Sequence, residues 1–175
     1  MHTNRPSSLI AVVTATLITF AFSAHADNSL LLDVNLKGKH TPHSGSSNAE
    51  VHHRWLEITV TPLRLSQPTS VDVEWTLFAD DLASDQVVTF GQKIQALQML
   101  PGQPVTMQSA DTVFSYVREH CERVSGSRKA KYKKVEATGK QFHGWAVRAF
   151  IDGKVVAESY SHPSLARQFL SASRN

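Results

Sequence analysis

The chain has 175 residues, 18 Lys and Arg against 15 Asp and Glu, a formal net charge of +3, nine histidines and one cysteine. A single cysteine excludes an intrachain disulfide framework, and a net charge this small selects no class of partner by itself. A domain of this size can bury enough surface to hold a core without metal or disulfide.

Taken in order, the N-terminus comes first. One firm positive charge, Arg5, precedes an apolar run from Leu9 to Phe22, and Ala24-His25-Ala26 supplies a small-x-small exit before Asp27. These are the three parts of a secretory signal. Residues 1–26 are therefore expected to be a cleavable signal peptide, with the rest periplasmic or extracellular. A retained spanning helix needs about 20 apolar residues, and this run is shorter. Residues 27–175 remain as one domain, with no transmembrane segment expected in the mature chain.

Period-2 alternation then dominates. Leu30, Leu32, Val34 and Leu36 share one face of a first strand. Residues 38–50, rich in Gly, Ser, Pro and His, read as a loop. Leu56, Ile58 and Val60 oppose Glu57, Thr59 and Thr61 until Pro62. Val71, Val73, Trp75 and Leu77 oppose Asp72, Glu74 and Thr76, which reads as a solvated face. Residues 86–100 are extended but long for one strand, with a bend expected near Gly91. Short strands follow over Val105–Ser109 and Thr112–Val117.

The closing hairpin turns at Ile151-Asp152-Gly153. An Asp-Gly pair admits a two-residue or a three-residue turn. The three-residue form, pairing Phe150 with Lys154 and setting Ala157 by Val147, is preferred because it keeps the apolar set on one side. Ser161-His162-Pro163 opens a short helix with Leu165, Phe169 and Leu170 on its apolar side. Some seven short strands and a buried-type Trp on a mid-chain strand predict an all-β fold, an immunoglobulin/fibronectin-like antiparallel β-sandwich with a short C-terminal helix.

The segments Gly144-Trp145-Ala146-Val147-Arg148, Asp152-Gly153-Lys154-Val155-Val156-Ala157 and Ser161-His162-Pro163-Ser164-Leu165 resemble the closing hairpin of uncharacterised exported bacterial immunoglobulin-like β-sandwich proteins. That resemblance covers about a sixth of the chain. It implies a surface or envelope module that binds, and it assigns no residue.

Charge is unevenly placed. Residues 118–140 hold eight basic and three acidic side chains; residues 57–85 hold one basic and six acidic. The basic segment, with Arg128, Lys129, Lys131, Lys133 and Lys134 at its centre, suits a protein or anionic envelope polymer. Export and the lone interior aromatic, Tyr132, argue against nucleic acid. Trp55 falls on the polar face of its strand and is expected to be an exposed stacking or anchoring residue.

No nucleophile elbow, phosphate loop or cofactor motif is present in the sequence. Two alternatives to an exported non-catalytic binding or structural module carry named residues. Asp72 and Glu74 sit two apart on one strand face at a spacing of about 6.6 Å, within reach of glycosidase chemistry. His40, His43 and His52 or His53 are a metal alternative, although adjacent His52 and His53 should point to opposite faces of a strand. Cys121 is expected to be a partly buried free thiol.

Overall fold

The computed structural model describes residues 29–41, 49–124 and 131–172, without the side chains of Thr41 and residues 168–172. The expected signal peptide lies outside these residues, as do His43, Arg128 and Lys129. No described helix is long and apolar enough to cross a membrane.

The chain is all-β, antiparallel and sandwich-like, with one short helix at its C-terminal end. β1 (Leu30–Thr41) and β2 (Ala49–Pro62) form a long hairpin in continuous register from Leu30↔Pro62 to Thr41↔Val51. β2 then pairs with β5 (Val105–Gln108) along one half and β6 (Thr112–Val117) along the other. The second layer is built from β3 (Thr69–Asp81), β4 (Gln86–Met99), β9 (Thr138–Ile151) and β10 (Lys154–Tyr160), with β9 between β3 and β10. The start of β9 also pairs with β6, at Tyr116↔Gly139 and Val117↔Thr138, joining the layers at one corner. Gly139 makes that crossing: its φ is +97°, and a Cβ there would collide with the Ser115 carbonyl.

Between the layers lie Leu56, Ile58 and Val60 of β2, Val71, Val73, Trp75 and Leu77 of β3, Phe114 of β6 and Trp145, Val147 and Ala149 of β9. All are buried. The period-2 pattern places them there, and each large side chain taken from water adds about 1.5–3 kcal/mol.

β3 departs from the sequence expectation. Two of its outward residues are not solvated, since Glu74 is 6% exposed and Thr76 1%, whereas Asp72 is exposed as expected. The helix α1 (Pro163–Ala172) explains part of this, because Leu165 packs with Phe78 and Ala146 on the outer face. Gly144 permits that approach, since a Cβ there would crowd Ser161 Oγ and Leu165 Cδ1. Ser161 ties the junction, donating its amide to Trp145 O (3.0 Å) and accepting the Trp145 amide at Oγ (2.9 Å).

Four further differences are local. Residues 38–41 and 49–50, read as loop, extend β1 and β2, because cross-strand pairing outweighs their weak strand propensity. Residues 86–99 form one strand, and the expected bend is a bulge: Leu77 pairs with Gly91 and Phe78 with Thr89. At the last hairpin, Asp152 (φ 51°) and Gly153 (φ 74°) form the two-residue turn, pairing Lys154 with Ile151. Two consecutive positive φ values match the twist of the flanking strands. A bulge at Val156 then shifts the register, so Ala157 faces Ala149, and Val156 and Ala157 are both buried. Finally, the basic segment is not a plain connection, because β7 (His120–Arg123) and β8 (Tyr132–Val135) form a separate two-stranded ribbon.

Candidate functional site

Trp55 lies on the outer face of β2, as the alternation predicts, but it is half-buried rather than exposed. The connection between β5 and β6 causes this. Ser109 closes on Leu56 from both sides: its Oγ accepts the Leu56 amide (2.8 Å) and its own amide donates to Leu56 O (2.9 Å). Trp55 thereby becomes part of the lining of a shallow depression of about 240 Å³, shared with Lys39, Gln108, Ser109 and Asp111. His53, on the same face, holds Asp111 through Nδ1···Oδ2 at 2.9 Å. An aromatic side chain bordered by a cation, an amide, a hydroxyl and a carboxylate offers stacking and hydrogen bonding together.

Lys133 and Lys134 lie on β8 of the ribbon, and Lys131 immediately precedes it. Lys131 and Lys133 are exposed and form no ion pair among the described residues. Lys134 is different: its Nζ lies 2.9 Å from Glu119 and 3.2 Å from Glu136, and the two carboxylates raise its pKa, Glu119 more than Glu136. Arg118 is paired with Glu50 (2.9 Å), and Lys140 with Asp81. Much of the charge asymmetry is thus neutralised internally. Asp80 likewise meets His143 at 2.8 Å, and Glu57 meets Lys37 at 3.3 Å. Cys121 is exposed, a correction to the expected partial burial, because the ribbon stands clear of the core.

The carboxylates of the enzyme alternative do not act together. Asp72 is exposed. Glu74 receives Arg148 Nε (3.0 Å) and Nη2 (2.6 Å) on Oε2, and Gln92 Nε2 (2.7 Å) on Oε1. A carboxylate held by three donors on its two oxygens ties β3, β4 and β9 together.

The histidines divide by strand parity. His53 faces outward with Asp111, while His52 lies on the inner side of the first layer, its ring 4.7 Å from that of His40 and parallel to Tyr116 at 5.8 Å. No group of three or more His, Cys, Asp or Glu side chains with metal-holding geometry occurs among the described residues. His52 belongs instead to a polar network. Tyr116 donates its hydroxyl to Glu50 Oε2 (2.7 Å), His52 Nε2 lies 3.2 Å from the same oxygen, and Arg118 holds Oε1. These contacts depress the Glu50 pKa, the Tyr116 hydroxyl first and His52 second.

That network borders a second, smaller cavity of about 100 Å³, lined by His52, Arg54, Tyr116, Gln141 and Phe142. It sits where the even-numbered face of β2 passes beyond the apolar core. Sequence reasoning did not find it. The one available signal was the change along that face from Leu56 to Arg54, His52 and Glu50.

No family model and no curated protein matches the chain. Several solved structures resemble it. One is a candidate beta-galactosidase from Bacteroides fragilis, 20% identical with a TM-score of 0.41, over 73% of this chain and 15% of that one. Another is a candidate ApaA protein from Bordetella pertussis, 13% identical with a TM-score of 0.37, over 76% of this chain and 94% of that one. A protein from Akkermansia muciniphila is 14% identical with a TM-score of 0.32, over 81% and 77% of the two chains.

Proposed function

We propose that this chain is an exported, non-catalytic binding module of the cell envelope or surface, and that it recognises an anionic polymer. The observation that carries this reading is the depression containing Trp55, which sets an aromatic ring beside Lys39, Gln108, Ser109 and Asp111. Such a surface suits a polar ring whose edge carries hydroxyl or carboxylate groups. The exposed Lys131 and Lys133 add positive charge at the ribbon, and neither forms an ion pair among the described residues, which favours long-range attraction to a polyanion. The apolar run and small-residue exit of residues 1–26 support export.

The test is co-sedimentation of the protein with sodium alginate immobilised on beads, with dextran beads as the neutral control. Saturable, salt-sensitive retention on alginate is expected. Trp55→Ala should weaken it at least about tenfold, the scale of one lost aromatic anchor. The Lys131→Glu/Lys133→Glu pair should weaken it chiefly at low salt. Retention that survives both changes would sink the reading. Fractionation of cells expressing the full chain, with N-terminal sequencing, tests export; a new N-terminus at Asp27 in the periplasm or medium is the expected result.

A further inference from the structure

The small cavity at the polar end of the first layer lies on the opposite face of β2 from Trp55, and its charge balance is the feature that remains unexplained. Glu50, the carboxylate closest to it in the network, is saturated by Tyr116, His52 and Arg118. Arg54, which lines the cavity, is half-buried and has no carboxylate partner among the described residues. Its Nε is shielded from solvent and makes no hydrogen bond, and the same is true of His52 Nδ1. An Arg54 Nε–H removed from water without an acceptor is costly, because its desolvation is not offset.

The position of Arg54 is fixed by the fold. Gly38 lies opposite it on β1, and a Cβ on Gly38 would collide with Arg54 Nη1 and come within 2.9 Å of Cδ. The missing side chain at residue 38 therefore lets the guanidinium lie across the neighbouring strand. From the other side, the crossing at Gly139 carries Gln141 and Phe142 to the cavity and next to Tyr116. Two glycine-dependent close approaches thus frame one cation and one space, whose volume corresponds to about three water molecules.

From this geometry we propose that the cavity binds a small carboxylate, with Arg54 as its counter-ion. The planar guanidinium matches a carboxylate by two parallel N–H···O contacts, a fit that a lysine cannot reproduce. Gln141 borders the same space, and its side-chain amide offers a further donor to a carboxylate, whereas the Tyr116 hydroxyl proton is committed to Glu50. Glu50 opposes an incoming anion, but its charge is already offset by Arg118. The proposal is independent of polymer binding at Trp55, since the two sites use opposite faces of β2.

The experiment is a two-dimensional NMR titration of the full chain with sodium acetate, against sodium chloride at matched ionic strength. The Arg54 Nε–H peak and the amides of Gly38, Tyr116 and Gln141 should shift saturably, with half-effect at roughly millimolar acetate. Arg54→Lys keeps the charge, loses the fork and should weaken the effect at least about tenfold; Arg54→Gln should abolish it. Trp55→Ala should leave it intact, so failure at this site and failure of polymer binding are separable. Shifts no different from those in chloride would overturn the proposal, as would saturation unchanged by Arg54→Lys. Saturation by inorganic phosphate without saturation by acetate would overturn the carboxylate assignment. Should Arg54→Gln fail to fold, the wild-type titration and Arg54→Lys still decide.

Discussion

Replacing Glu74 by alanine removes the acceptor of three donors inside a layer of the fold. Arg148 contributes two contacts, at 2.6 and 3.0 Å, and Gln92 a third at 2.7 Å. The side chains of Arg148 and Glu74 are only 12% and 8% exposed, so water cannot replace the lost partner without local opening. Breaking one member of a buried pair costs about 3–5 kcal/mol, mostly because the remaining charge is stranded. Glu74→Gln keeps one acceptor oxygen and should cost about half as much. With a urea dependence of about 2 kcal/mol per molar, Glu74→Ala should lower the unfolding midpoint by about 2 M. The decisive comparison is Glu74→Leu/Arg148→Met, which removes both charges and keeps volume. It should recover most of the loss, since buried pairs are often no better than well-packed apolar replacements. Urea unfolding followed by tryptophan fluorescence reads all three variants. A midpoint for Glu74→Ala within about 0.25 M of wild type, equivalent to about 0.5 kcal/mol, would refute the buried-pair argument. A double variant as damaged as Glu74→Ala would show that packing, rather than charge, sets the cost.

Three other outcomes follow from single positions. Gly139→Ala forces a side chain against the Ser115 carbonyl at a φ of +97°, and should destabilise by at least about 2 kcal/mol in the same unfolding assay. Tyr160 has its pKa raised to about 12, first by burial and then by its hydrogen bond to Glu158. Because the folded state favours the protonated phenol, this contribution to stability is present below the ordinary value of 10.0 and lost as pH rises through about 12. In an absorbance titration, Tyr160→Phe should remove one late-ionising phenol; a wild-type curve with all three tyrosines near 10 would contradict the assignment. Cys121 is exposed, so native protein should react with one equivalent of a thiol reagent as readily as unfolded protein does, and Cys121→Ser should leave the unfolding midpoint unchanged.

What could be seen in the sequence was whatever period-2 alternation alone determines. Leu56, Ile58 and Val60 read as inward and are fully buried, and Trp75 reads as a buried strand residue and is one. The same rule, applied to Asp72, Glu74 and Thr76, gave a solvated face; it held at Asp72 and failed at Glu74 and Thr76, because alternation describes one sheet and knows nothing of what covers its other side. Leu165 of α1 and the donors Arg148 and Gln92 arrive on that face from distant positions. The ribbon of β7 and β8 was missed for the opposite reason. It has no apolar alternation to detect, and its pairing sets Glu122 against Lys133 and Cys121 against Lys134.

The candidate sites divide along the same line. Trp55 was legible as an outward aromatic, but its half-buried setting depends on Ser109, which reaches Leu56 across 53 residues of sequence. Arg54 was passed over because an arginine beside two histidines and a tryptophan looks like ordinary strand polarity. Its meaning depends on Gly38, directly across the β1–β2 ladder, and on Gln141 and Phe142, brought in by the crossing at Gly139. Both glycines are visible in the sequence, yet neither announces a partner until register is known. Register here is what turns a polar residue into an uncompensated cation facing a cavity. A one-residue slip of β1 against β2 would put the side chain of Lys37 or Lys39 in the place Gly38 leaves open, and Arg54 could not lie where it does.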